Sequence, residues 1–170
     1  EITLKFIGHE ERLLRAGCAD WRWPRLQNGL PKFFSAMIPI MSSQESTRAP
    51  ALSVTELSVL SEKARTICRL LADLGVSDTL VHGNFSPHNV IWSQGKPVFL
   101  DWAFAIVGFP FMSEEYFRSR MVREHPEFES WSDSLQKAYY GPWENLLGRH
   151  SLNRAKMLNR CGRQMAVTRG

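Results

Sequence analysis

The sequence predicts an α+β domain that is mostly helical and contains one small β-hairpin. Between Val54 and Leu74, apolar residues repeat every three or four positions, which is the periodicity of an amphipathic helix. Between Thr79 and Leu100, the pattern changes to short β-prone runs separated by turn residues. Helical patterns resume at Ser113. The order of helix, small β-segment and further helices defines the fold class.

Size and composition are those of an ordinary soluble globular domain. The chain has 170 residues, of which 44% are hydrophobic and 22% charged. It has no apolar run long enough to span a membrane, so we expect no membrane partner. Its three cysteines lie far apart without CxxC spacing, which predicts a reducing, cytoplasmic compartment and no zinc site.

The N-terminal third is the least regular part of the sequence. Alternation of Ile2, Leu4 and Phe6 with polar residues predicts a short strand, and residues 9–16 predict a helix that ends at Gly17. Residues 21–34 are apolar but aperiodic, and residues 41–51 are small, polar and loop-like.

The helix at Val54–Leu74 carries clear signals at both ends. Ser53 and Glu56 form a capping-box pattern, and Gly75 supplies the stop. Three further helices are predicted downstream, and Gly141-Pro142 is expected to break or restart the second of them. They begin at Ser113, at Trp131 (to Tyr140) and at Leu152 (to Ala166).

Basic residues accumulate near the C-terminus, where no acid follows Glu144. A solvated helix face and a nucleic-acid patch both explain them. Because no aromatic residue interleaves these charges after Trp143, the solvated face is favoured and no nucleic-acid partner is expected.

The most informative stretch begins at Thr79 and contains a loop and the hairpin. A short buried strand at Thr79–Val81 enters a polar loop that ends at Asn89, and Asp101 follows the second strand of the hairpin. Because a hairpin returns the chain to its start, we expect Asn89 and Asp101 to be neighbours. Their oxygens suit Mg²⁺ together with nucleotide phosphates. The simpler alternative is a turn residue and a surface acid.

Within this stretch, the segments LVHGNFSPHNVIW and VFLDWAFAIVGFPF resemble the aminoglycoside phosphotransferase and choline kinase branch of the protein-kinase-like phosphotransferases. The usual pattern of that branch is HGDxxxxN followed by DW. The resemblance implies the C-terminal lobe of a protein-kinase-like fold and transfer of the ATP γ-phosphoryl group to a hydroxyl of a small molecule. By the same resemblance, Asn89 and Asp101 bind Mg²⁺ and the nucleotide.

One position departs from the pattern, since Asn84 stands where those relatives carry the catalytic Asp. By resemblance, that Asp orients the attacking hydroxyl and accepts its proton. An amide oxygen can orient a hydroxyl but is no useful base near neutral pH. Two functions therefore remain open: a phosphotransferase of reduced rate, and a pseudoenzyme that binds a nucleotide or a partner without turnover.

The neighbours of Asn84 are given supporting roles. We expect His82 to hold the loop, Gly83 to allow a close backbone approach, and Trp102 to pack against the lobe. His88 and Phe109 stand where relatives often carry a small and a polar residue respectively, so both are departures from the pattern.

The resemblance also divides the chain. A glycine-rich phosphate loop and a strand lysine, both found in the N-terminal lobe of kinase-like relatives, are not present in residues 1–50. We expect residues 1–50 to be a connector and remnant leading from such a lobe. Residues 51–170 are expected to form the C-terminal lobe, cut short at its end. Because the N-terminal lobe is missing, we expect the 170-residue chain by itself to show little or no turnover.

Overall fold

The structure is a computed structural model that describes residues 2–47 and 50–167, with side chains described as far as Asn159. The α-helices are α1 Glu10–Arg15, α2 Trp23–Ser42, α3 Val54–Ala72, α4 Met112–Glu124, α5 Ser132–Leu147 and α6 Arg149–Val167. The strands are β1 Ala19–Trp21, β2 Thr79–Val81, β3 Val90–Ser93, β4 Lys96–Phe99 and β5 Ile106–Gly108. This is the mostly helical α+β arrangement that the sequence predicted.

Two small sheets carry the loop of interest. In the first, β5 lies between β1 and β2, parallel to β1 and antiparallel to β2. In the second, β3 and β4 form the predicted hairpin, in which Val90 pairs with Phe99. Gln94 and Gly95 have φ angles of 50° and 75°, as a two-residue turn between twisted strands requires. The loop therefore runs from the buried strand β2 to the hairpin strand β3.

The segment that follows β5 enters the larger hydrophobic core. Phe109 and Phe111 are fully buried, and their rings meet edge to face at 5.1 Å. Phe111 also meets Tyr140 and Trp143 edge to face, at 4.9 and 5.3 Å. Edge-to-face contacts add to the stabilisation that burial itself provides. Phe109 is thus a core residue of this chain.

In the N-terminal third, the predicted strand is wrong, and one segment without a predicted element is a long helix. Residues Thr3–Phe6 form a 3₁₀ turn and not a strand, because Leu4 and Phe6 each pack on a core cluster without extended backbone. The aperiodic segment forms the 20-residue helix α2, although it contains Pro31 and Pro39. Each proline removes one helical hydrogen bond, and packing of α2 along α3 offsets that cost.

The predicted break at Gly141-Pro142 is also wrong, since α5 continues through it to Leu147. Tyr140 and Trp143 lie on either side of the Gly141-Pro142 pair and are buried in the core. Their packing stabilises the helix across this pair.

The basic face predicted near the C-terminus lies partly outside the described part of the chain. The side chains of Arg160, Arg163 and Arg169 are not described, so this face stays a prediction. Among the described helices, none combines the length and the apolarity that crossing a membrane requires.

Candidate functional site

Three residues predicted for the site lie together at the base of the hairpin. The backbone N–H of Leu100 donates to the carbonyl oxygen of Asn89 at 2.8 Å, which closes the hairpin beside Asp101. The Asn89 side chain donates from Nδ2 to the backbone oxygen of Asn84 at 2.8 Å. Asn84 in turn donates from Nδ2 to Oδ2 of Asp101 at 3.4 Å. The predicted proximity of Asn89 and Asp101 therefore follows from one connected set of hydrogen bonds.

Asp101 has an unusual backbone conformation. Its φ and ψ angles are 58° and 62°, in the left-handed region that residues with a side chain rarely adopt. Within the described residues, the other non-glycine residue with positive φ is Gln94 in the hairpin turn. Such a conformation costs on the order of 1–3 kcal/mol and is often found at functional sites. Here it leaves the carboxylate exposed at the end of β4.

The Asn84 amide is engaged at both ends. Its Nδ2 faces Asp101, and its Oδ1 accepts a hydrogen bond from Oη of Tyr116 at 3.4 Å. A carboxylate at this position could not donate to Asp101, so the amide matches its surroundings. Sequence reasoning did not identify Tyr116, which lies 32 residues away on α4. No local spacing links the two positions; only the fold brings them together.

His82 and Trp102 stabilise the loop through hydrogen bonds and ring packing. The buried His82 ring hydrogen-bonds through Nε2 to the carbonyl oxygen of Leu100 at 2.8 Å, and its centroid lies 4.5 Å from Trp102. The His82 backbone N–H donates to Oγ of Ser113 at 3.3 Å. Trp102 donates from Nε1 to the Phe99 carbonyl oxygen at 3.0 Å. These contacts agree with the supporting roles predicted for both residues.

Gly83 lies where no side chain fits. Its φ angle is +74°, and a Cβ atom placed on it would lie 1.9 Å from the carbonyl oxygen of Phe104. The backbone of the loop therefore approaches the turn after Asp101 directly, as the sequence predicted.

The oxygen atoms that the site offers as ligands suit a Mg²⁺ ion that also binds the phosphates of a substrate. In the described part of the chain, no group of three or more His, Cys, Asp and Glu residues could hold a metal. The site offers one exposed carboxylate, on Asp101, and the amide oxygen of Asn89, whose Nδ2 is already bonded to Asn84. Mg²⁺ commonly binds through one or two such groups together with waters and substrate phosphates. The site is thus suited to Mg²⁺ with a nucleotide rather than to Mg²⁺ alone.

A cavity of about 690 Å³ lies beside the loop but does not include these residues. His82, Phe85 and Phe99 line it, together with residues of α4 and α5. Because Asn84, Asn89 and Asp101 do not line the cavity, we do not place the acceptor there.

A protein-family model described as the RIO domain matches residues 33–122. The match covers more than half of the chain and includes the loop, the hairpin and Asp101. The chain belongs to the RIO domain family. RIO domains are kinase-like, so membership shows a kinase-like, ATP-binding phosphotransferase family without specifying the aminoglycoside phosphotransferase branch. A search of curated proteins and a search of solved structures each gave no match.

The close approach at Gly83 gives a test with a matched control. Gly83→Ala combines a strained φ with a clash against Phe104, whereas Gly95→Ala has a φ of +75° and open space around it. We expect Gly95→Ala to lower the free energy of unfolding by about 1–2 kcal/mol, and Gly83→Ala to cost at least about 3 kcal/mol more. Urea denaturation measures both. Equal losses would show that the loop does not contact the turn as described.

Proposed function

We propose that this RIO domain binds Mg·ATP at Asn89 and Asp101 and transfers the γ-phosphoryl group to a hydroxyl beside Asn84. The observation that carries the proposal is the hydrogen-bonded set of Asn89, Asn84 and Asp101, with the Asp101 carboxylate exposed. It lies inside the segment that matches the family.

Each residue has a separate role in this proposal. Asn89 Oδ1 and the Asp101 carboxylate would hold Mg²⁺, which when bound neutralises charge on the phosphates. Asn84 would orient the acceptor hydroxyl through its amide oxygen without removing its proton. Phosphoryl transfer depends mainly on positioning and charge neutralisation, so loss of the base leaves a residual reaction. The expected reduction is roughly 10²–10⁴-fold.

Two similarities favour different classes of acceptor hydroxyl. The sequence resemblance to aminoglycoside phosphotransferases favours a hydroxyl on a small molecule. Membership in the RIO family favours a protein hydroxyl, because RIO kinases phosphorylate proteins or themselves. We also propose that residues 51–170 form the kinase-like C-terminal lobe, with residues 1–50 as a connector from an N-terminal lobe. The order of elements from α3 onward supports that division.

A second function, nucleotide binding without turnover, is favoured by the amide network. Asn84 donates to Asp101 and accepts from Tyr116, so the site is satisfied with an amide in the place of the family's base. Both functions require the same Mg²⁺–nucleotide site, and they differ only in whether the phosphoryl group leaves ATP.

The metal site is tested by Asp101→Asn. Mn²⁺ with ADP should broaden the backbone amide signals of residues 84–89 in an NMR spectrum, and the variant should remove that broadening. Loss of the carboxylate should lower the affinity for Mn·ADP at least about tenfold, or ~1.4 kcal/mol. Asp133→Asn, which changes an exposed acid on α5, is the matched control. Full broadening in Asp101→Asn would place the metal elsewhere.

The role of Asn84 is tested by Asn84→Asp. A carboxylate beside the acceptor supplies a base and should raise kcat by about 10²-fold. The second carboxylate also lies near Asp101, so like-charge repulsion should make thermal stability more dependent on Mg²⁺. ATP consumption and melting temperature measure the two effects, with Asn84→Ala as the control that removes the amide without adding charge. Mg²⁺-dependent stability without turnover, across small-molecule and protein acceptors, would favour the second function.

A further inference from the structure

We propose that Tyr116 is a phosphoryl acceptor of its own chain, and that the site favours phenolic hydroxyls. This inference rests on the proposed function, because it needs Mg·ATP at Asn89 and Asp101. It goes further by naming the acceptor and the chemical class to which it belongs.

The position of the Tyr116 hydroxyl is the first argument. Tyr116 lies near the start of α4, and its Oη donates to Oδ1 of Asn84 at 3.4 Å. The other end of the same amide contacts Asp101, the proposed metal ligand. A phosphorylated hydroxyl must lie beside the residue at position 84 and near the phosphates. The Tyr116 hydroxyl already occupies the first of these positions.

The surroundings of the three tyrosines distinguish Tyr116 from the other two. Tyr139 donates to the Pro110 carbonyl oxygen at 2.7 Å, and Tyr140 donates to Oε2 of Glu114 at 2.8 Å. Burial, with the Glu114 carboxylate nearby, raises the pKa of both phenols above the ordinary range. These two are structural. Tyr116 is 41% exposed and its contact to Asn84 is longer, so its hydroxyl is accessible to a nucleotide.

The two serines on the same helix do not offer an equivalent hydroxyl. Ser113 is buried and accepts a hydrogen bond from the His82 backbone N–H. Ser119 donates to Oε1 of Glu115. Within the described part of α4, the hydroxyl that contacts Asn84 is therefore the phenol of Tyr116.

The chemistry of a phenol matches the absence of a base. A phenol ordinarily ionises near pH 10, so it gives up its proton far more readily than an aliphatic alcohol. A site with an amide in the place of the base therefore penalises a phenol least. A phenol beside Asn84 therefore suits a site that has no carboxylate at the base position.

The reaction consumes one ATP for each phosphotyrosine formed. Oη of Tyr116 forms a bond to the γ-phosphorus, and the bond from that phosphorus to the bridging oxygen of ADP breaks. The bonding electron pair leaves with ADP, and the phenolic proton passes to a phosphoryl oxygen and then to water. Because the acceptor belongs to the same chain, its effective concentration is high, which favours a single slow turnover.

The experiment is a single-turnover labelling of this chain with Mg·ATP, followed by peptide mass spectrometry. We expect slow labelling of Tyr116 alone, to no more than one phosphoryl group per chain, with a rate independent of protein concentration. Tyr116→Phe should remove the label, and Asp101→Asn should abolish the reaction. Ser119→Ala, which removes another hydroxyl from the same helix face, should leave the label unchanged. Labelling at another residue, or labelling that persists in Tyr116→Phe, would overturn the inference.

A second readout requires no turnover. Mg²⁺ with a non-hydrolysable ATP analogue should slow nitration of Tyr116 by tetranitromethane, with the partly buried Tyr139 and the buried Tyr140 as internal references. Protection together with no phosphotyrosine would overturn the inference and leave the nucleotide-binding proposal intact. Absence of both protection and nucleotide-dependent thermal stabilisation would overturn the proposed function and the inference together.

Discussion

Two hydrogen bonds to Asn89 bring the polar loop and the end of the hairpin together. Its backbone oxygen accepts from Leu100, and its side chain donates to the backbone of Asn84. The backbone bond sets the position of Asp101 relative to the loop, and the side-chain bond sets the position of Asn84. Only the side-chain bond depends on asparagine at this position, because any residue could supply the backbone oxygen. Asn89 thus organises the site before it binds any ligand.

The rest of the fold holds this arrangement from both sides. Before the loop, the His82 ring hydrogen-bonds to the Leu100 carbonyl oxygen and packs on Trp102. These two contacts fix the chain on either side of Asp101. Beyond Asp101, the fully buried Phe109 and Phe111 anchor the segment in the aromatic core. The left-handed backbone of Asp101 lies between these two anchored regions. A strained conformation of this kind persists only where the surrounding structure determines it.

Local signals in the sequence predicted much of the site but not all of it. The capping box of Ser53 and Glu56, the hairpin and the approach at Gly83 depend on neighbouring residues, and the structure contains all three. Strands β1 and β5 were not predicted, because they pair with each other, Ala19 against Ile106, across segments that lie far apart in the sequence. Helix α2 was missed because its prolines and aperiodic aromatics mask the pattern. Tyr116 reaches Asn84 only through tertiary packing, which no sequence spacing reveals.

The proposed metal–nucleotide site is tested most directly by anomalous diffraction from crystals of this chain grown with Mn²⁺ and a non-hydrolysable ATP analogue. We expect a manganese peak in direct coordination with the Asp101 carboxylate and the Asn89 side-chain oxygen, and also with phosphate oxygens of the nucleotide. A well-ordered nucleotide whose manganese contacts neither residue would contradict the assignment of these two residues as metal ligands. So would a manganese peak at another group of acids on the same chain.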